Sequence, residues 1–218
     1  MADAATDRLP LRERKKLRTR QALIDTALEL FTDRGFDQTT LDELCDAVEV
    51  SKRTFFRTFT SKEDVAMAPL QDLWTGFLTE LSAAEPGSDT LLEMLQDTVL
   101  LVVGRLPADG WAERASRSHR LAQSTPSTAA HNLQFCDRIV RDALALLRER
   151  YDLDPATDPQ PRLALDILIA AFHCALDTWT ARNNPIDTTT LAADLRNAFT
   201  AVPGALAMPL RPRLTDEP

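Results

Sequence analysis

Glycine is scarce in this chain, 6 residues of 218, and so are runs in which apolar and polar residues alternate. Both shortages count against a sheet protein. What fills the sequence instead is long Ala/Leu/Arg/Glu/Asp segments at helical spacing, so the expected fold class is all-α. Cysteine is nearly absent: Cys45, Cys136 and Cys174 stand far apart, with no CxxC pair and no histidine at metal-ligand spacing. That leaves no pattern for a structural metal or a disulfide framework, and the thiols read as small buried hydrophobes of a reducing compartment. No cofactor and no metal are expected. The N-terminus lacks the apolar core of a signal peptide, and no apolar run approaches about 18 residues, so a cytoplasmic chain without a membrane span is expected. Also missing are GxSxG, a P-loop, HExxH and a paired-carboxylate motif, which leaves a helical hydrolase or transferase without residues to rest on; no catalytic residue is expected.

Net charge is -8, which taken whole argues against a polyanionic partner. The distribution changes that. Between residues 8 and 20 stand Arg8, Arg12, Arg14, Lys15, Lys16, Arg18 and Arg20 against the lone acid Glu13. Residues 8–66 hold twelve basic and eleven acidic groups, so this third is close to neutral while the remainder carries the acid. Cationic side chains are concentrated at one end of the chain.

Residues 40–64 read TLDELCDAVEVSKRTFFRTFTSKED, and the rest of the sequence is organised around them. Leu41, Leu44, Cys45 and Val48 recur at i, i+3, i+4 and i+7, an apolar stripe on a short helix opened by a capping box of Thr40 and Glu43. After a break at Glu49 and Val50, Ser51 is placed to cap a second helix running to about Phe59. At 100° per residue Phe55, Phe56 and Phe59 fall on one side and Arg53, Thr54 and Arg57 on the other, with Lys52 at the N-terminal end. A helix this short needs its aromatic side buried, which leaves the basic side facing water or an anion. A helix fits the major groove of B-DNA, where Arg and Lys reach guanine O6 and N7. A solvated charged face is the plainer alternative, and on charge alone it is favoured.

The segment resembles the DNA-binding region of the TetR family of transcriptional regulators: a Thr, a short helix, a turn ending in Val50-Ser51, the aromatic pair Phe55-Phe56, Phe59, then Ser61-Lys62-Glu63. Upstream, Thr19, Arg20, Ile24, Ala27, Leu28, Phe31 and Gly35 resemble the family's first helix, extending the match over roughly residues 18–65. Two departures stand out. Val48-Glu49 replaces the usual Ala-Gly of the turn, where a positive φ is best tolerated by glycine, and Phe56 replaces a Tyr whose hydroxyl often reaches a phosphate. The resemblance, with the charge pattern, makes Arg20, Thr39, Thr40, Ser51, Lys52, Arg53, Thr54, Arg57 and Lys62 the candidate contacts to double-stranded DNA.

The expected organisation is a disordered arm over 1–10, a helix-turn-helix domain over 11–60, a helical ligand-binding and dimerisation domain over 61–206, and a flexible tail over 207–218. The first helix runs from Leu11 to Arg34 with Leu17, Ile24, Ala27, Leu28 and Phe31 inward. A long helix runs from Ser61 to about Leu81, interrupted by Pro69, whose missing N–H predicts a bend between the DNA-reading head and the larger domain. Prolines then bound helices near 88–106, 109–124, 127–151, 161–183 and 187–201. The fourth of these is apolar on most sides and needs cover on most sides. Leu168, Ala171 and Ala175 on it, with Leu191, Leu195 and Phe199 on the last helix, are therefore the expected faces of a two-fold homodimer, Ala164 and Ala170 also permitting close approach. A dimer would place two recognition helices about one DNA turn apart, on a palindromic operator.

The family resemblance further implies a pocket for a small-molecule effector. Trp74, Phe77, Met94, Leu95, Val99, Leu121, Phe135, His173 and Trp179 are its candidate lining, each also a natural core residue. Resemblance to one branch of the family, carried by Ser51–Arg57 and by Ala175-Leu-Asp-Thr-Trp179, implies an acyl-CoA-like or other lipophilic effector. The expected function is a ligand-responsive DNA-binding repressor; a helical adaptor or small-molecule-binding protein without sequence-specific DNA binding is the alternative.

Overall fold

Pro10 introduces α1 (Leu11–Arg34), and Gly35, at φ 93°, ends it in a conformation side chains with a Cβ rarely adopt. The helix is buried only from Leu23 onward, through Ile24, Ala27, Leu28 and Phe31. Leu17, expected to face inward, is 45% exposed because the first half of α1 projects past the core. Then come α2 (Leu41–Ala47), α3 (Lys52–Phe56) and α4 (Lys62–Ala83). The second half of the chain forms α5 (Leu91–Arg105), α6 (Trp111–Ser124), α7 (Pro126–Arg150), α8 (Gln160–Thr180) and α9 (Thr188–Leu206). The computed structural model describes residues 10–84, 90–108, 110–154, 157–182 and 186–210, and there is no strand among them. The expected arm over 1–10, apart from Pro10, and the end of the expected tail, 211–218, lie outside the described residues.

Two apolar cores form. The first gathers Leu23, Ile24, Leu28, Phe31 and Phe36 with Leu44, Cys45, Phe55 and Phe59, the opening turns of α4 (Val65 to Ala68), and Leu121 from α6. The second holds Leu70, Leu73, Trp74 and Phe77 of α4 together with α5, α7, α8 and α9 and the N-terminal part of α6. Helix α4 runs through both, continuous across Pro69, and touches α1 on one side and α5, α6 and α7 on the other. Helices α8 and α9 pack most extensively on each other. Helix α9 continues past the expected end at 201 and through Pro203 to Leu206.

By length and composition α8 is apolar enough to cross a membrane, which departs from the expectation that no segment is. Core helices of soluble proteins share that property, and α8 lies against α5, α6, α7 and α9. Its buried face is Leu165, Leu168, Ala171, Phe172, Ala175, Leu176 and Trp179. Trp179 donates its Nε1–H to Asp187 O and Thr190 Oγ1, both at 3.1 Å, which pins the turn into α9.

Candidate nucleic-acid interface

The interface begins with a cap. Thr40 Oγ1 accepts from Glu43 N at 3.2 Å, and the Glu43 carboxylate accepts from Thr40 N at 2.8 Å, the reciprocal box expected from the sequence. Those bonds hold the Glu43 carboxyl below the usual carboxylate range. Helix α2 then closes in a Schellman arrangement: Val50 N donates to Cys45 O at 2.9 Å and Glu49 N to Asp46 O at 3.1 Å. The left-handed position belongs to Glu49, at φ 55°. Here the turn keeps the shape that glycine ordinarily serves, with a glutamate bearing the strain.

Ser51 caps α3 as expected, its Oγ accepting from Thr54 N at 3.2 Å. The helix ends at Phe56, one turn short of the expected Phe59. Phe55 is fully buried, Phe59 is 3% exposed, and their rings lie 5.8 Å apart over the first core. Phe56 does not join them. It is 55% exposed and meets Phe55 only edge-on, at 5.4 Å between centroids. Only two of the three rings expected to anchor α3 do so, because Phe56 lies toward the flank of so short a helix.

The basic residues divide into two groups. Ser51, Lys52, Arg53 and Arg57 are exposed on α3 and its turns, with Thr54 half-buried beside them and Thr40 exposed at the start of α2. Lys52 Nζ lies 2.7 Å from Asp42 Oδ1, which raises its pKa above the ordinary lysine value. The other three candidates are engaged within the fold. Arg20 makes two 2.8 Å bonds to the Asp72 carboxylate and sits over the Phe59 ring, joining α1 to α4. Thr39 is 1% exposed and donates its hydroxyl to Gly35 O. Lys62 Nζ donates to Phe36 O at 2.7 Å and Thr39 O at 2.6 Å while lying over the Phe36 ring, so it ties the start of α4 to the loop before α2.

A groove of about 690 Å³ runs between α1 and α3, lined by Leu11, Arg12, Lys15, Lys16 and Thr19 with the lone acid Glu13 on one wall and Thr54, Arg57 and Thr58 on the other. Sequence reasoning named the basic arm but not its pairing with α3, which depends on how the helices cross. A cationic trough beside an exposed basic helix suits a sugar-phosphate backbone, with α3 alongside for base edges.

The candidate effector and dimer residues are placed differently from expectation. Trp74, Phe77, Leu95, Val99 and Trp179 are buried in the second core and Phe135 packs at its edge; Leu121 belongs to the first core. Of the candidates Met94 lines a groove of about 580 Å³ in this half of the chain, with Glu80, Leu91, Asp97, Leu101, Tyr151 and Leu153; the others do not. His173 is half-buried, its pKa lowered by burial and by the neighbouring His119, with Asp177 opposing. The six expected interface residues, Leu168, Ala171, Ala175, Leu191, Leu195 and Phe199, are all buried within the subunit, where they seal α8 against α9 and α5. Helical periodicity marked an inward face; it did not tell a partner helix of the same chain from one of another.

A capped helix-turn-helix with an exposed cationic second helix, carried on a separate all-helical body, defines the class of HTH transcriptional regulators. Residues 23–68 match the model of the bacterial regulatory proteins of the tetR family. The chain is 33% identical over 177 residues to the HTH-type transcriptional regulator TcmR of Streptomyces glaucescens, covering 79% of this chain and 77% of that protein. The fold is shared with a chain from Syntrophomonas wolfei assigned to the TetR family (TM-score 0.56, 20% identity, 88% of this chain and 98% of that one). It is shared also with SmeT, repressor of the Stenotrophomonas maltophilia multidrug efflux pump SmeDEF (TM-score 0.51, 19% identity, 85% and 89%). The chain belongs to the TetR family of transcriptional regulators.

Proposed function

We propose that this regulator is a cytoplasmic repressor that binds a palindromic operator as a homodimer and is released by a small lipophilic effector. The observation that carries the DNA reading is the groove in which Arg12, Lys15 and Lys16 of α1 meet Arg57 after α3, with the exposed Lys52 and Arg53 on the same short helix, in a chain of net charge -8. Affinity for a duplex is expected to fall with salt, log K against log concentration sloping at about -0.9 per phosphate neutralised. A flat response would favour a helical adaptor whose basic face is merely solvated.

Support for pairing comes from the outward faces of α8 and α9. Leu163, Ala170 and Cys174 on α8 are exposed, as are Ala193, Ala201, Gly204 and Ala205 on α9. Small side chains along two adjacent helices, Ala170 among them as the sequence led one to expect, allow close approach of a second copy. Sedimentation equilibrium with Ala170→Arg tests it: a monomer is expected, with the helical spectrum unchanged.

For the effector, the groove beside α5 has an apolar floor of Leu91, Met94, Leu101 and Leu153 and the carboxylates Glu80 and Asp97, with no Lys or Arg among its described lining residues. Glu80 is ion-paired with Arg105 beside the groove, which offsets its charge; the apolar floor and the Asp97 carboxylate favour an uncharged or cationic lipophile over the phosphates of acyl-CoA. Release of operator by uncharged or cationic lipophiles but not by acyl-CoA, in a competition titration, is the expected result.

A further inference from the structure

Among the described residues Phe56 is the only aromatic side chain left exposed, and it stands on α3 next to Lys52, Arg53 and Arg57. Leaving a phenyl ring in water forfeits the burial that Phe55 and Phe59 gain on the same short helix. The short α3 cannot bury a third ring, and a polar side chain at this position, like its exposed polar neighbours, would serve the fold as well. Phe55, fully buried in the core, backs the Phe56 ring edge-on with the planes 87° apart. An exposed apolar ring among the basic residues of a short helix fits a partner that is anionic overall and apolar at one point.

In the major groove, the edges of the base pairs present donors, acceptors and a single kind of apolar group, the thymine C5-methyl. We propose that Phe56 reads a thymine methyl in each half of the operator, and that it is a specificity-determining residue rather than part of the packing. This rests on the DNA-binding reading above. The cations on either side hold the helix to the backbone, and the ring then finds either a methyl group or a bare C5–H. The difference between thymine and uracil at that step is the burial of one methyl group. At the usual transfer energy of a methylene this corresponds to about fourfold in affinity per half-site, and about fifteenfold for a symmetric pair.

The test starts from a duplex selected out of a random library by the purified full-length chain. Each thymine is replaced in turn by deoxyuridine, which removes the methyl and keeps every hydrogen-bonding group. Wild type is expected to lose about fourfold at one thymine per half-site, measured by fluorescence anisotropy, and Phe56→Ala to bind the thymine and uracil duplexes equally. Tight, selective binding that is indifferent to every uracil substitution would overturn the proposal while leaving the DNA reading intact. So would a methyl effect that survives in Phe56→Ala, since the contact would then belong to another side chain. Failure to enrich any sequence removes both. Because the ring is exposed, Phe56→Ala should melt with wild type, and a large drop in melting temperature would show that it serves the fold instead.

Discussion

Replacing Glu49 by glycine is expected to stabilise the chain. Glu49 sits at φ 55° in the position that closes the Schellman motif between α2 and α3, and its N–H must point to Asp46 O for the motif to form. For a residue with a Cβ the left-handed conformation costs about 1–2 kcal/mol. Glycine escapes that cost but is freer in the unfolded chain, which offsets roughly 0.5–1 kcal/mol of the gain. The net gain is about 0.5–1 kcal/mol, and for a chain of this size that raises the melting temperature by roughly 1–4 °C. Thermal denaturation followed by circular dichroism is sufficient to measure it. Glu49→Ala is the necessary control, because it removes the carboxylate but keeps the Cβ; it should gain nothing. If the glycine and alanine variants melt together, the strain argument is wrong and any change comes from charge. If the glycine variant melts below wild type, the side chain of Glu49 holds the turn in some way that outweighs the backbone.

Other expectations concern the same region and the larger body. Lys62→Met removes two hydrogen bonds to the carbonyls of Phe36 and Thr39 and should cost about 2 kcal/mol in urea denaturation, with no separate effect on DNA once the folded fraction is accounted for. Asp42→Asn frees Lys52 from its ion pair, so duplex binding should tighten severalfold at low salt, and the salt slope should steepen by up to about 0.9 as one more phosphate is neutralised. His173, whose folded pKa lies below its ordinary value, takes up a proton more readily when unfolded, so stability should decline as pH falls through about 6.5 and toward the folded value. Urea midpoints of wild type and His173→Asn between pH 5 and 7.5 should therefore diverge at the acid end, with the variant less sensitive; parallel curves would count against it.

Much of this was legible in the residues. Thr40 with Glu43 and Ser51 announced their caps because capping is local chemistry, settled within three or four positions. The helices also fell close to their proline and glycine punctuation. What escaped was everything that depends on which surfaces meet. Phe56 shares a helical side with Phe55 and Phe59 on a wheel, yet α3 is too short and too obliquely placed to bury all three. Lys62 and Arg20 read as candidate DNA contacts, whereas the fold commits them to carbonyls and a carboxylate 23 to 52 positions away. Leu168 and Leu195 were rightly apolar and inward, but periodicity says only that a face is covered.

The region around Pro69 shows how such tertiary pairing bears on regulation. A proline within α4 removes one backbone donor and loosens the helix at that turn. The turn is tied to α6: Trp111 Nε1 donates to Pro69 O at 3.2 Å and Ser118 Oγ to Ala66 O at 2.6 Å, both in buried surroundings. The same α6 sends Leu121 into the first core and packs Trp111 toward Trp179 of α8. Losing two buried hydrogen bonds costs roughly 2–6 kcal/mol, and exposing one leucine about 1.5–3 kcal/mol. Coupling between two sites in one protein generally amounts to about 1–3 kcal/mol. The contacts between α6 and α4 are thus stronger than the signal they would have to carry, so α6 and the upper part of α4 must shift as a unit or not at all. The packing offers a route by which displacement of α8 is expected to reach the recognition helix, through Trp179, Trp111 and the Pro69 turn, and Ser118→Ala, which cuts one of those ties, is expected to weaken the connection while leaving both cores in place.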